Sequence, residues 1–404
     1  MKKTLLLTGL MALVMSFSAC SSSDNDDPTP TTITEDEAQN LDYTSENAAA
    51  WCNYAVNVAR LLSNDSKNLY DEWNNNFAAA FKGHTAGSGY NTAIECVQEI
   101  IAGSVEIATE VGTAKIGEPV GYWNEGKRNK ALYAVESWYS YHSREDYMNN
   151  ILSVANAFLG TCIDIENNVP FTDSYKELAN SNSLYAKGLA NSVLAEQVEE
   201  VWQDIVAAHN AIYNIPNPFR NNIGSPKAVE AMDACAELTK SLEALSGSID
   251  KGNLSEEDAQ DIVNQFVDVV VMPTYKSLVE KNNALQTAVN NLQKSPSNNA
   301  FKAACNAWME ARKPWESSEA FLFGPVSKLG LDPNMDSWPL DAVGIANLLK
   351  SQKWSEMEWT GAYEETDEDN PTARAEAIEA AQALRGFHTL EYLLFKNGQP
   401  RTVK

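Results

Sequence analysis

From about Leu41 onward, apolar residues in this 404-residue chain recur at the spacing of an α-helix, with no sustained alternation of period two. After a Thr44-Ser45-Glu46 start signal, Ala48, Trp51, Cys52, Ala55, Ala59 and Leu62 share one helical face. Leu69, Trp73, Phe77, Ala80 and Phe81 mark a second helical stretch, and Ala93, Val97, Ile100, Ile101 and Val105 a third. Further helices are predicted over residues 146–159, 184–213, 226–245, 255–292 (kinked at Pro273), 297–308 and 341–350. Residues 112–130 hold Gly117, Pro119, Gly121 and Gly126 and are predicted to be irregular. No hairpin turn signal stands out. The pattern predicts an all-α protein of two helical bundles, residues 41–248 and 249–404, dividing near the Ser246-Gly247-Ser248 break.

The N-terminus bears on location. Met1-Lys2-Lys3 precedes an apolar run from Leu5 to Val14, the layout of a signal peptide over residues 1–19. Phe17-Ser18-Ala19-Cys20 resembles a lipobox, which would lipidate Cys20 and anchor the mature chain to a membrane. The other reading is an unmodified secretory signal. Ser21 to Asp27 and Pro28 to Thr34 are polar and predict a flexible tether over residues 20–40. An acidic run just after Cys20 resembles the surface-export signals of some Gram-negative lipoproteins. The expectation is an outer-membrane lipoprotein of the cell envelope, periplasmic or surface-exposed. A formal charge of −25 argues against nucleic acid as a partner, since phosphates are repelled. The other five cysteines are widely spaced with no C-x-x-C pair, so buried thiols are expected rather than a disulfide framework.

The chemistry concentrates near the C-terminus. In Gly386-Phe387-His388-Thr389-Leu390-Glu391-Tyr392, His388 and Glu391 lie three residues apart and project from one helical face among apolar neighbours. An imidazole beside a carboxylate either holds a metal, shares a proton, or forms a buried pair that orients helices. Gly386 reads as a glycine within a helix that begins near Thr372, unfavourable unless something approaches closely. Upstream, Glu319-Ala320-Phe321-Leu322-Phe323-Gly324 sets a carboxylate among aromatics, where it needs a cation or a donor. Trp338-Pro339-Leu340-Asp341 follows.

Taken together and in this order, the three segments resemble the imelysin family of bacterial envelope proteins. Glu319, Ala320, Phe321, Phe323 and Gly324 match its first motif, with Leu322 in place of the usual arginine. Gly386, His388 and Glu391 match its G-x-H-x-x-E motif. A further family block resembles residues 136–150, where Ser140, Ser143, Asp146 and Asn150 occupy its positions. That block normally follows the histidine motif, so the resemblance implies a circularly permuted member, feasible where termini lie close together. It also implies two four-helix bundles with a functional site at their interface. The family has been linked to iron uptake and was earlier classed among metallopeptidases.

The resemblance therefore implies an iron species or metal chelate as ligand. His388 and Glu391 would be metal ligands for iron or another divalent ion, with Asp146, Ser140 and Glu319 in support. Ser143, Asn150, Phe321 and Gly386 belong to the same expected site. A metal-dependent peptidase using His388 and Glu391 is the runner-up, though no H-E-x-x-H is present. A docking module for an outer-membrane transporter is the third reading.

Overall fold

The computed structural model describes residues 33–165, 168–363 and 371–403. The signal segment, Cys20, most of the tether and the acidic stretch 364–370 lie outside them. The described chain is all-α apart from one two-residue strand pair. Among the described residues no helix is long and apolar enough to cross a membrane.

Two groups of helices pack against each other. In one, Ala48–Glu72 packs on Met272–Lys294, which packs on Asn298–Glu316, and Gly386–Leu394 closes the group against the first and last of these. In the other, Pro226–Ser248 packs on Ala195–Tyr213 and Ala93–Glu110, with Ser143–Leu159 against the latter two. A helix from the front of the chain thus completes a group built mainly from its C-terminal third. The groups meet where Ser143–Leu159 packs on Asn298–Glu316 and on the short Glu319–Phe321 turn. Ser143–Leu159 is buried along its whole length, although it carries Arg144, Glu145, Asp146, Asn149, Asn150 and Ser153. Polar groups in such a place need partners, and those partners define the candidate site.

Several sequence expectations are corrected. The segment 112–130 is largely helical rather than irregular: a wide turn at Val111–Lys115 leads into helices Gly117–Asn124 and Arg128–Tyr133. Pro119 is tolerated because it lies in the first helical turn, where its missing N–H has no intrahelical partner to lose. The single helix expected over 184–213 is two, Leu184–Ala190 and Ala195–Tyr213. Asn191 breaks it: its side-chain oxygen accepts from the Val193 amide at 2.9 Å, offering the backbone a local alternative to helix. The Pro226 helix runs unbroken through Ser246 to Ser248, then winds into a wide turn at Ile249–Asn253 where Gly252 has φ 84°. Instead of a kink at Pro273, a wide turn at Phe266–Val271 precedes the proline, which sits at the start of the next helix. The tether ends early: Glu35–Gln39 is a short helix capped by Thr34, with Ala38 and Gln39 buried. One hairpin forms where none is expected. Asn397 and Gly398, both at positive φ, turn Phe395–Lys396 back on Gln399–Pro400. Cys52, Cys96, Cys235 and Cys305 are buried free thiols, as expected, and Cys162 is an exposed one.

One buried group links the core to pH. His209 is 1% exposed and stacks on Phe171 with ring centroids 4.0 Å apart. Neither ring nitrogen makes a hydrogen bond of good geometry. Burial pushes its pKa down to about 3, and Asn210 opposes this only weakly. Between that value and the ordinary one of 6.5 the unfolded chain binds a proton that the folded chain refuses, so stability falls as pH drops through 6.5. Between pH 7.5 and pH 5 this costs about 2 kcal/mol. Urea midpoints at the two pH values are expected to converge by that amount in His209→Leu; an unchanged pH slope would rule the residue out as the source.

Candidate functional site

Gly386 determines how the histidine motif is presented. It does not lie inside a long helix, as its sequence context suggests. The preceding helix ends at Gln382 and a new one begins at Gly386, with φ 91°. A Cβ here would lie 2.5 Å from the Met335 carbonyl oxygen, so glycine alone permits the approach of the Leu331–Asp336 helix. That approach sets Asp336 beside His388.

His388 is fully buried. Its Nε2 lies 3.0 Å from Asp336 Oδ1 and 3.2 Å from Glu136 Oε1, and its Nδ1 lies 3.2 Å from Glu391 Oε2. Glu391 Oε1 accepts from both the backbone N–H and the hydroxyl of Ser140, each at 2.7 Å. The Trp338 ring meets the imidazole edge-on, centroids 4.8 Å apart.

The loop supplying Glu136 and Ser140 is contorted. Ser137 (φ 51°) and Tyr141 (φ 66°) are left-handed without being glycine, each costing about 1–3 kcal/mol unless its surroundings impose it. The surroundings are specific. Gly398 N–H of the C-terminal hairpin donates to the Tyr139 carbonyl at 2.8 Å, and Ser143 Oγ donates to the Glu136 carbonyl at 2.5 Å.

Arg312 lies at the centre of the charges and is also fully buried. Its Nη1 pairs with Asp336 Oδ1; its Nη2 is 3.3 Å from Glu136 Oε1 and 2.6 Å from Glu316 Oε1; its Nε is 3.3 Å from Asp146 Oδ2. Asn150 Nδ2 donates to Glu316 Oε2 at 2.5 Å, Ser137 Oγ to Asp146 Oδ2 at 2.5 Å, and Trp315 Nε1 to Asp336 Oδ2 at 2.6 Å. Lys115, in the wide turn after Ala93–Glu110, reaches Glu136 Oε2 at 3.0 Å. Asp146, Asn150 and Ser153 thus line one face of the buried helix and satisfy the Asn298–Glu316 helix and the turn beyond it, Ser153 accepting from the Ala320 amide.

These pairings sort the carboxyls. Burial would raise Glu136, but Lys115 and His388 bring it down to about 2. Burial also opposes ionisation of Asp336, and Arg312 and His388 overcome it and hold the acid well below the usual range. Burial and Arg312 disfavour a charged His388, yet Asp336 and Glu136 keep its pKa well above the ordinary value, which favours the charged imidazole. Burial dominates at Glu316 and Glu319, which are raised well above normal despite Arg312 and Lys115 respectively. Burial, with repulsion from Asp336, lifts Asp332 to about 7. Asp146 is likewise raised by burial against Arg312 and His142.

The sequence-derived residues fall into three positions. Ser140, Ser143, Asp146, Asn150, Glu391 and His388 converge on this cluster. Glu319 sits at its edge beside Lys115, placed there by Gly103, where any Cβ would strike the Ala320 carbonyl. Phe321 points away into an aromatic core with Phe266 and Tyr275. Asp146 does not touch His388; Arg312 stands between them. Glu136, Asp336, Arg312 and Lys115 were not singled out. Arg312 and Glu316 carried a signal, since opposite charges four apart within a tryptophan-rich apolar stretch need burial together.

A family model described as imelysin matches residues 25–245 and 271–403. The chain belongs to the imelysin family. Its fold resembles the crystal structure of an imelysin peptidase from Bacteroides ovatus, 48% identical, with a TM-score of 0.82 over 91% of this chain and 100% of that one. A curated relative, iron-regulated protein A of Synechococcus elongatus, is 33% identical over 139 residues, 34% of this chain. The match spans about a third of that relative's length. The imelysin G-x-H-x-x-E motif and the Ser140–Asn150 block, far apart in sequence, meet where Ser140 bonds Glu391; the Asp146–His388 contact expected of a permuted member is replaced by Arg312 standing between the two.

Proposed function

We propose that this imelysin is an iron-handling protein of the cell envelope, anchored through lipidated Cys20, that holds an iron ion at Glu136, Asp336 and His388. One observation carries the reading. Glu136 Oε1, Asp336 Oδ1 and His388 Nε2 lie within 4.8 Å of one another, an imidazole and two carboxylates suited to a hard or borderline cation. Glu391 is better placed to orient than to ligate: it engages the Nδ1 side of His388, while Ser140 fixes its other oxygen. Loading requires His388 Nε2 to give up its proton while Nδ1–H stays on Glu391. The name of the cyanobacterial relative, an iron-regulated protein, supports a link to iron. The complete burial of His388 suits ion retention better than attack on a polypeptide.

Trp338 and Trp315 report on the site, one against His388 and the other bonded to Asp336. Titration of chelator-stripped protein with ferrous or ferric ion is expected to quench tryptophan fluorescence saturably at one ion per chain. His388→Ala and Asp336→Asn are expected to abolish that phase, and equal metal content in wild type and His388→Ala would sink direct coordination. Glu391→Gln is expected to weaken binding by roughly 10–100-fold without abolishing it, the range for an orienting partner. Complete loss in Glu391→Gln would make Glu391 a ligand instead.

A further inference from the structure

The Arg312 guanidinium touches every atom of the proposed ligand set. Nη1 pairs with Asp336 Oδ1, and Nη2 lies 3.3 Å from Glu136 Oε1 and 3.4 Å from His388 Nε2. A cation cannot join those three atoms while the guanidinium covers them. The same group also reaches two more acids, Glu316 Oε1 from Nη2 at 2.6 Å and Asp146 Oδ2 from Nε at 3.3 Å. These pairings can improve: the approach to Glu316 Oε1 is not aligned as a hydrogen bond, and Asp146 Oδ1 makes no well-aligned hydrogen bond. Asn150 and Ser137 already hold the other oxygens of these two acids, so they are fixed receivers rather than loose side chains.

Resting on the iron-site reading, we infer that Arg312 is a resident stand-in for the cargo, which withdraws onto Glu316 and Asp146 when an ion enters the Glu136, Asp336 and His388 set. The guanidinium's own movement breaks no covalent bond. It leaves the arginine paired in both states, which matters because an unpaired buried charge is strongly destabilising. It also makes the ion compete with an internal cation, so the apparent affinity is the intrinsic one reduced by the fraction of molecules with the guanidinium withdrawn.

Arg312→Lys keeps one positive charge, but an ammonium is a point charge that cannot cover three ligand atoms at once. Ferrous or ferric ion, titrated against tryptophan fluorescence, is expected to bind Arg312→Lys about tenfold or more tightly than wild type. Glu316→Gln leaves the receiving side chain unable to ionise beside the guanidinium while sparing the ligand set, and is expected to weaken ion binding by about tenfold. Unchanged or weaker binding by folded Arg312→Lys, with Asp336→Asn still abolishing the wild-type signal, overturns the stand-in role and leaves the iron site intact. Tighter binding by Glu316→Gln overturns it too. If neither wild type nor Arg312→Lys binds iron, the site reading itself fails.

Discussion

Gly386→Ala is expected to lower unfolding stability by on the order of 4 kcal/mol, combining backbone strain with a steric clash. The native φ of 91° lies where an L side chain is strained whatever the space around it. The added methyl would also meet backbone, 2.5 Å from the Met335 oxygen and 2.8 Å from its carbonyl carbon, so no side chain can swing aside. Relief requires the Leu331–Asp336 helix to retreat, which carries Asp336 away from His388. Two readouts are therefore expected to move together: the urea midpoint falls, and whatever folded fraction remains binds iron more weakly. A loss below about 1 kcal/mol would mean that this helix crossing is slack, and that the glycine reflects something other than the approach.

The same residue illustrates what was legible in the sequence. Helical periodicity identified an all-α chain because apolar spacing is local and each helix buries one face. Gly386 stood out as an anomaly in that pattern, with a close approach as its expected cause, but the positive φ that ends one helix and starts another was not visible. The motif and the Ser140–Asn150 block were found by resemblance, and their meeting at Glu391 depended on the family rather than on any pattern within this chain. Glu136 and Asp336 escaped notice for a physical reason. A lone carboxylate in a loop or short helix has the same appearance whether it faces solvent or an imidazole, and only the tertiary crossing at Gly386 and the left-handed turns at Ser137 and Tyr141 distinguish the cases. Arg312 was more accessible: its helix buries Phe301, Ala304, Cys305, Trp308, Ala311 and Trp315, and a charge on such a face has to be matched.

Arg312→Met is expected to cost about 3–5 kcal/mol in chelator-treated protein, the loss seen when one partner of a buried ionic group is removed. Side-chain volume is nearly preserved, so the effect is electrostatic. Glu136, Asp146, Glu316 and Asp336 lose their shared counter-charge, and Lys115, His388 and His142 are left beside them. Folding then requires protons on more of these acids, so the deficit is expected to shrink as pH is lowered, because protonation removes the uncompensated charge. An iron ion in the proposed Glu136, Asp336 and His388 set would replace the missing positive charge from outside. At a free ion concentration of 100 times its dissociation constant, it is expected to return about 2.7 kcal/mol, by mass action on the folded state. At the same ion concentration wild type is expected to gain less, because there each ion must first move the guanidinium aside. Thermal unfolding of both proteins with chelator and with iron separates the cases. A cation that stabilises Arg312→Met no more than wild type would show that iron and arginine do not compete for the same three atoms.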